Sequence, residues 1–258
     1  MKQAGINSFS EKRIWIIGAS SGIGEACAKA LISQNAHVAL SSRRVERLNT
    51  IAQAAKVNQA LVIPLDVTND EQLGTAYEKI ISTWGEIDLL LFVSGVYTPL
   101  RADDFDIHIA EQTIDANLLG PMKAVALVLP KMLQAQRGNI AIVGSVAGYS
   151  GLPKALAYGP TKAAIINFCE ILYYDLLPKG IGVHMISPGF VATEATAQND
   201  FEMPALISAE EAASEILKGI QKGEFDIHFP KRFSRFLKFL RILPYPLYFW
   251  IVRRFVKI

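Results

Sequence analysis

Tyr158 and Lys162 stand four residues apart at the head of an apolar helical stretch, so both side chains lie on one helix face. A free tyrosine titrates near pKa ~10 and exchanges protons poorly at neutral pH. A neighbouring ammonium favours the phenolate. Bringing the phenol near neutrality takes ~3 pKa units, or ~4 kcal/mol of differential stabilisation. The pair is therefore a candidate acid–base unit. The same spacing also suits an ordinary tyrosine and lysine on a helix surface.

A second chemical feature lies near the start of the chain. Gly18-Ala-Ser20-Ser21-Gly22-Ile23-Gly24 follows a short apolar run and opens a helix. Strand, glycine-rich turn and helix N-terminus together make an anion site, because free N–H groups and the helix dipole point outward there. Gly18 allows the tight turn, Gly22 lets backbone approach a phosphate, and Gly24 lets helix pack on strand. At the end of the next strand, NAD-preferring sites carry an acid for the ribose 2′-hydroxyl. This chain has Ser41-Ser42-Arg43-Arg44 instead. Arg43 can fork onto a 2′-phosphate and Ser42 does not repel one, which favours NADP(H) over NAD(H). The alternative is a solvated arginine pair opening the following helix.

The elements that must position these residues alternate strictly. Strands are expected at Arg13–Ile17, His37–Ser41, Ala60–Leu65, Ile87–Ser94, Asn139–Ser145, Gly182–Ile186 and Phe225–Phe229. Helices are expected at Ile23–Gln34, Val45–Ala55, Asp70–Trp84, Ile107–Gln136, Ala157–Leu177 and Ala209–Lys222. The strand runs are almost continuously apolar, as in Leu89-Leu90-Leu91-Phe92-Val93, which marks strands covered on both faces. The expected fold is α/β: a Rossmann-type doubly wound parallel sheet of about seven strands. Residues 1–230 read as one dinucleotide-binding catalytic domain and 231–258 as a basic extension.

Composition narrows the classes. The chain has 258 residues, 51% of them hydrophobic and 19% charged, with a mean hydropathy of +0.25. Disorder is excluded, and two cysteines, Cys27 and Cys169, exclude a disulfide scaffold. They are expected to be buried spectators. No apolar run precedes the glycine-rich turn, so a secretory signal is not expected and a reducing cytoplasm is the default. His37, His108, His184 and His228 are scattered, and no metal is expected. Trp84, Phe105 and Phe168 suit core or a subunit interface.

In these motifs the chain resembles the short-chain dehydrogenases/reductases. Gly18-x-x-x-Gly22-Ile23-Gly24 matches that family's cofactor turn. Asp66-Val67 matches its adenine-contacting pair, and Asn117 its helix asparagine. Ser145 lies the usual 13 residues before Tyr158, and Tyr158-Gly-Pro-Thr-Lys162 is its YxxxK. Pro188-Gly189-Phe-Val191-Ala-Thr193 matches the segment that holds the nicotinamide carboxamide. The match runs from about Lys12 to Pro230. It departs where the family's Asn-Asn-Ala-Gly is Phe92-Val93-Ser94-Gly95, and where a threonine is replaced by Ile17.

The resemblance implies roles for these residues. Tyr158 exchanges a proton with a carbonyl or alcohol oxygen, and Ser145 positions that oxygen. Lys162 binds the nicotinamide ribose and lowers the tyrosine pKa, while Asn117 holds a linking water. Val191 holds the carboxamide with Thr193 nearby. Ser20, Ser21, Ser94 and Gly95 complete the expected cofactor surface. The implied activity is NADP(H)-dependent interconversion of a carbonyl and an alcohol. A soluble 3-oxoacyl-thioester reductase and a non-catalytic nucleotide-binding regulator or scaffold are the alternatives. A homodimer or homotetramer is implied, through the helices bearing Asn117 and Tyr158.

Substrate and tail invite two further expectations. Tyr97, Leu152 and residues 190–207 follow strands at the carboxyl edge, where ligands bind. Thr196–Ile207, with Phe201, Met203, Leu206 and Ile207, reads as a mostly apolar lid over a lipophilic substrate. Residues 231–258 carry eight Lys/Arg and no acid, leaving a mildly acidic body. On a helical projection Phe233, Phe236, Leu237, Leu240 and Leu243 face away from Arg235, Lys238 and Arg241, until Pro244 and Pro246 stop the helix. This tail is expected to lie peripherally on the inner face of a membrane, or else to pack on the body or across a subunit interface with its arginines solvated. It is not expected to bind nucleic acid.

Overall fold

A computed structural model describes residue 3, residues 5–197 and residues 203–255. Seven parallel strands form one sheet in the order β3-β2-β1-β4-β5-β6-β7. They are β1 (Arg13–Ile17), β2 (His37–Ser42), β3 (Ala60–Pro64), β4 (Leu89–Phe92), β5 (Gly138–Val143), β6 (Ile181–Pro188) and β7 (Asp226–Phe229). Successive residues of one strand enter opposite cores. Trp15 and Ile17 join the layer under the helices of one face. Ile14 and Ile16 join the other. A strand with two buried faces must be apolar at every position, which is why β1 reads as an unbroken run.

The helices are α1 (Gly22–Ser33), α2 (Val45–Ala52), α3 (Asp70–Trp84), α4 (Ile107–Ile114), α5 (Gly120–Ala135), α6 (Tyr158–Leu176) and α7 (Ala209–Gln221). α3, α5 and α6 cover one face, α1 and α7 the other. α4 and α5 are one continuous helix joined by a π-helical turn over Asp115–Leu119. α7 opens on a reciprocal capping box between Ser208 and Glu211. Cys27 and Cys169 are buried in the two layers, and burial pushes both thiols up to about 12. Trp84 and Phe168 pack on the core, whereas Phe105 is exposed.

The tail differs from its projection. α8 (Lys231–Arg241) forms as expected, but a further helix, α9 (Tyr245–Phe255), follows it. Pro244 and Pro246 end one helix and begin the next, because proline costs nothing where the first-turn N–H groups lack partners anyway. Phe233, Leu237, Leu240 and Leu243 turn inward onto the protein, and of the expected apolar stripe only Phe236 stays exposed.

A buried polar cluster joins the edge of the sheet to the N-terminal segment. Gln3 pairs with the backbone of Val183 through both ends of its side-chain amide. His184 beside it bonds Asn139 and the Glu224 carbonyl. Burial lowers the His184 pKa from 6.5 to about 4. The unfolded chain therefore takes up a proton below pH 6.5 that the folded chain refuses until about 4. Stability from this group is full above pH 6.5 and falls by about 1.4 kcal/mol per pH unit within that window. Urea unfolding at pH 7 and pH 5 should show this loss. In His184→Gln the baseline stability should be lower and the acid-induced loss smaller.

Candidate active site

The chain switches direction at β1 and β4, so the carboxyl ends of these neighbours open a crevice. The glycine-rich turn leaves β1 there. Gly18 sits at φ +97°, and a Cβ on it would come within 2.5 Å of the Ser94 nitrogen. A Cβ on Gly24 would fall 2.0 Å from the Gly18 carbonyl oxygen. Backbone thus packs on backbone where no side chain fits. Ser21 precedes α1 without capping it, so the first N–H groups of α1 receive no side-chain acceptor from their own cap. That donor set suits a dinucleotide diphosphate.

The two arginines after β2 occupy different places. Arg43 is mostly in solvent, 3.9 Å from Asp66. Arg44 reaches back over the turn, where its guanidinium donates to the hydroxyls of Ser20 and Ser21. It also pairs with Glu194 at 2.5 Å, and Arg47 holds the same carboxylate at 2.6 Å. These arginines hold the exposed Glu194 carboxyl below its usual range. Ser42 accepts from the Arg44 nitrogen. Arg44 was not singled out as a ligand in the sequence, because its partner Glu194 lies 150 residues away.

Asp66 accepts from the backbone and hydroxyl of Thr68, which lower its pKa. Val67 is buried beside Gly120. β6 ends at Pro188, and Gly189 donates to the Phe229 carbonyl. Val191 is buried and bridges to Ile207. The Thr193 methyl lies 2.7 Å from where a Gly22 Cβ would stand, so the 193–197 turn folds over the N-terminus of α1. Ile23 packs partly buried against the layer beneath.

The candidate acid–base groups meet beside the glycine-rich turn, in the same crevice. Tyr158 is the first residue of α6, and Lys162 follows one turn later. The Lys162 ammonium lies 5.5 Å from the Tyr158 ring centre and donates to the Val143 carbonyl at 3.0 Å. Ser145 follows β5, and its side chain stands beside the Tyr158 hydroxyl, opposing the rise in its pKa. The helical turn after Ser145 packs so tightly that a Cβ on Gly148 would meet the Lys162 backbone at 2.6 Å. Asn117 sits on the π-helical turn and exchanges two 2.8 Å hydrogen bonds with the backbone of Val96. Gly95 admits both groups: its Cβ would lie 3.1 Å from Asn117 Oδ1 and 3.6 Å from Lys162 Nζ.

The electrostatics differ from the expected lowering of the tyrosine pKa. Burial pushes Tyr158 up to about 12, although the Ser145 hydrogen bond opposes it. Burial likewise lowers Lys162 to about 8. Desolvation therefore dominates the phenol's environment. The Tyr97 ring stands edge-on to Tyr158 with centres 5.1 Å apart. Of the expected lid, residues 198–202, including Phe201, lie outside the described residues. Leu206 is exposed, and Ile207 donates to the Phe190 carbonyl. Among the described residues no group of three metal-ligating side chains occurs.

The sequence profile described as short chain dehydrogenase matches residues 12–203. An uncharacterized oxidoreductase of Myxococcus xanthus is 32% identical over 95% of this chain and 98% of its own length. The crystal structure of a short-chain dehydrogenase from Streptomyces avermitilis superposes with a TM-score of 0.79 at 21% identity, covering 89% of this chain and 92% of that one. ElxO, solved with NADP bound, superposes with a TM-score of 0.76 at 24% identity, covering 84% of this chain and 97% of that one.

Proposed function

This chain belongs to the short-chain dehydrogenase family, and on that premise we propose that it is an NADP(H)-dependent reductase/dehydrogenase interconverting a lipophilic carbonyl compound and its alcohol. The observation that carries the proposal is the meeting of Ser145, Tyr158 and Lys162 beside the glycine-rich turn. A bound nicotinamide supplies or accepts the hydride. The chain's own residues do the rest.

In the reducing direction Tyr158 is the acid. A phenol held at about 12 keeps its proton at neutral pH and gives it to the oxygen as negative charge develops there. Ser145 donates to the same oxygen and orients it. Lys162, easily deprotonated at about 8, refills the tyrosine through the polar groups around it and holds the nicotinamide ribose. Asn117, fixed by Val96, holds the water that carries this relay toward solvent. Gly18, Ser20, Ser21, Gly22, Ile23 and Gly24 cradle the diphosphate. Asp66, Val67, Ser94 and Gly95 flank the adenosine and ribose, and Pro188, Gly189, Val191 and Thr193 hold the carboxamide end. Ser42, Arg43 and Arg44 would hold a 2′-phosphate by hydrogen bond and charge.

A lipophilic substrate is supported by the Tyr97 ring against Tyr158. Self-association through the helices bearing Asn117 and Tyr158 is supported by the exposed Ile114, Leu119, Ile171 and Tyr174. The test is NADPH oxidation with carbonyl substrates graded by chain length. Turnover should rise with chain length. Tight NADPH binding without turnover on any substrate would favour a regulatory role instead.

A further inference from the structure

Helices α8 and α9 form a hairpin whose inner face is consumed by the protein. Leu240, Tyr248 and Val252 make its small core. Phe233 stacks obliquely on Phe190, ring centres 5.8 Å apart, and lies against Gly189. The Tyr248 hydroxyl donates to the Gly151 carbonyl. Lys238 pairs with Asp226 and stands 5.4 Å from the Tyr149 ring centre. The hairpin thus grips both loops that leave the sheet beside the site, the one after Ser145 and the one after β6.

The outer face is exposed to solvent among the described residues. Ile242 is 76% exposed, Tyr245 75% and Trp250 65%, with Phe236, Phe239 and Phe249 exposed beside them. Arg232, Arg235, Arg253 and Arg254 are exposed on the same two helices. Residues 231–258 contain no acid at all. A concentration of large apolar side chains at water marks a binding surface rather than scattered exposure.

We infer that this outer face docks on an anionic lipid bilayer, with the aromatic rings in the headgroup region and the arginines at lipid phosphates. Interleaved aromatic and cationic side chains on a short helix suit that interface. A second copy fits it poorly. A two-fold contact would set the same arginines against each other with no acid to answer them. Because one hairpin carries the docking face outside and the loop contacts inside, docking holds the substrate crevice at the lipid surface. Entry of substrate from the bilayer rests on the function proposed above; the docking does not.

The experiment is flotation of the full chain with two vesicle types. One is phosphatidylcholine alone, the other phosphatidylcholine with phosphatidylglycerol. The chain should float only with the anionic vesicles and be released by salt. Each arginine at such a surface contributes about fivefold to partitioning, so Arg235→Gln, Arg253→Gln and Arg254→Gln together should reduce it on the order of a hundredfold. Phe239→Ser with Trp250→Ser should reduce flotation at every salt concentration. NADPH affinity and the unfolding temperature should match those of the unmodified chain in both variants. No flotation with anionic vesicles at low salt, or flotation untouched by both variants, overturns the inference. So does a fall in oligomer mass of the aromatic variant without lipid, which would assign the face to a second copy. Turnover of a short water-soluble ketone separates the two proposals. Absence of turnover on that ketone and on every member of the graded carbonyl series would sink the reductase and leave flotation as it was, while lost flotation with turnover intact would sink the docking alone.

Discussion

Tyr158→Phe should lower kcat by about a hundredfold to ten-thousandfold and leave NADPH binding within about twofold of the unmodified chain. The phenylalanine keeps the ring contacts with Tyr97 and deletes only the hydroxyl that Ser145 holds. The loss should therefore fall on kcat rather than on KM, since the missing interaction strengthens as the oxygen gains charge. In energy the drop is about 3–5 kcal/mol of transition-state stabilisation. Steady-state kinetics with a turned-over carbonyl substrate, together with a fluorescence titration of NADPH, check both halves. A variant that keeps more than a tenth of the original kcat would remove Tyr158 from the role of acid. Loss of NADPH affinity alongside turnover would instead point to a collapsed crevice.

Arg44→Ala should weaken NADPH binding by about tenfold to a hundredfold, the worth of a charge-assisted contact to phosphate. NADH binding should barely change. That comparison matters, because Arg44 also ties Ser20 and Ser21, and a merely loosened turn would weaken both cofactors alike. Arg43→Ala should have the smaller effect on NADPH, since its side chain is 73% exposed and screened by water. Glu194→Gln should act in the opposite direction. Glu194 now engages Arg44 and Arg47 together, so its neutralisation frees Arg44 for a 2′-phosphate. Equal losses for NADPH and NADH in Arg44→Ala would defeat the assignment. A larger loss from Arg43→Ala would return the role to that residue.

The two arginines show where sequence reading stops. The sequence points to Arg43, beside Ser42, as the phosphate ligand and offers no role for Arg44 beyond a solvated pair. The fold sends Arg43 toward Asp66 and Arg44 over the turn, because both lie in the non-helical link before α2 and their partners come from distant segments. The tail shows the same limit in another form. Its amphipathic pattern was legible, yet a helical projection cannot say which face the protein itself will use. Phe233 and Leu237 went inward because they met Gly189 and the edge of the core, and this left Phe239 and Ile242 outside.

What the sequence determined by itself was everything carried by neighbours along the chain. Apolar runs alternating with helical stretches dictated a parallel sheet with two covered faces. The spacing Gly18-x-x-x-Gly22-x-Gly24 placed an anion site at the first helix, and the four-residue step from Tyr158 to Lys162 put both on one face. Tertiary structure alone decided what depends on groups far apart in sequence. It set Asn117 against Val96 through a π-helical turn. It enclosed the Tyr158 hydroxyl so that desolvation is the largest influence on its pKa and raises it. It also joined Glu194 to Arg44. Local pattern follows from backbone geometry, which each short segment carries with it. Burial and long-range pairing are set only when the segments pack, because solvent is expelled and distant charges meet only then.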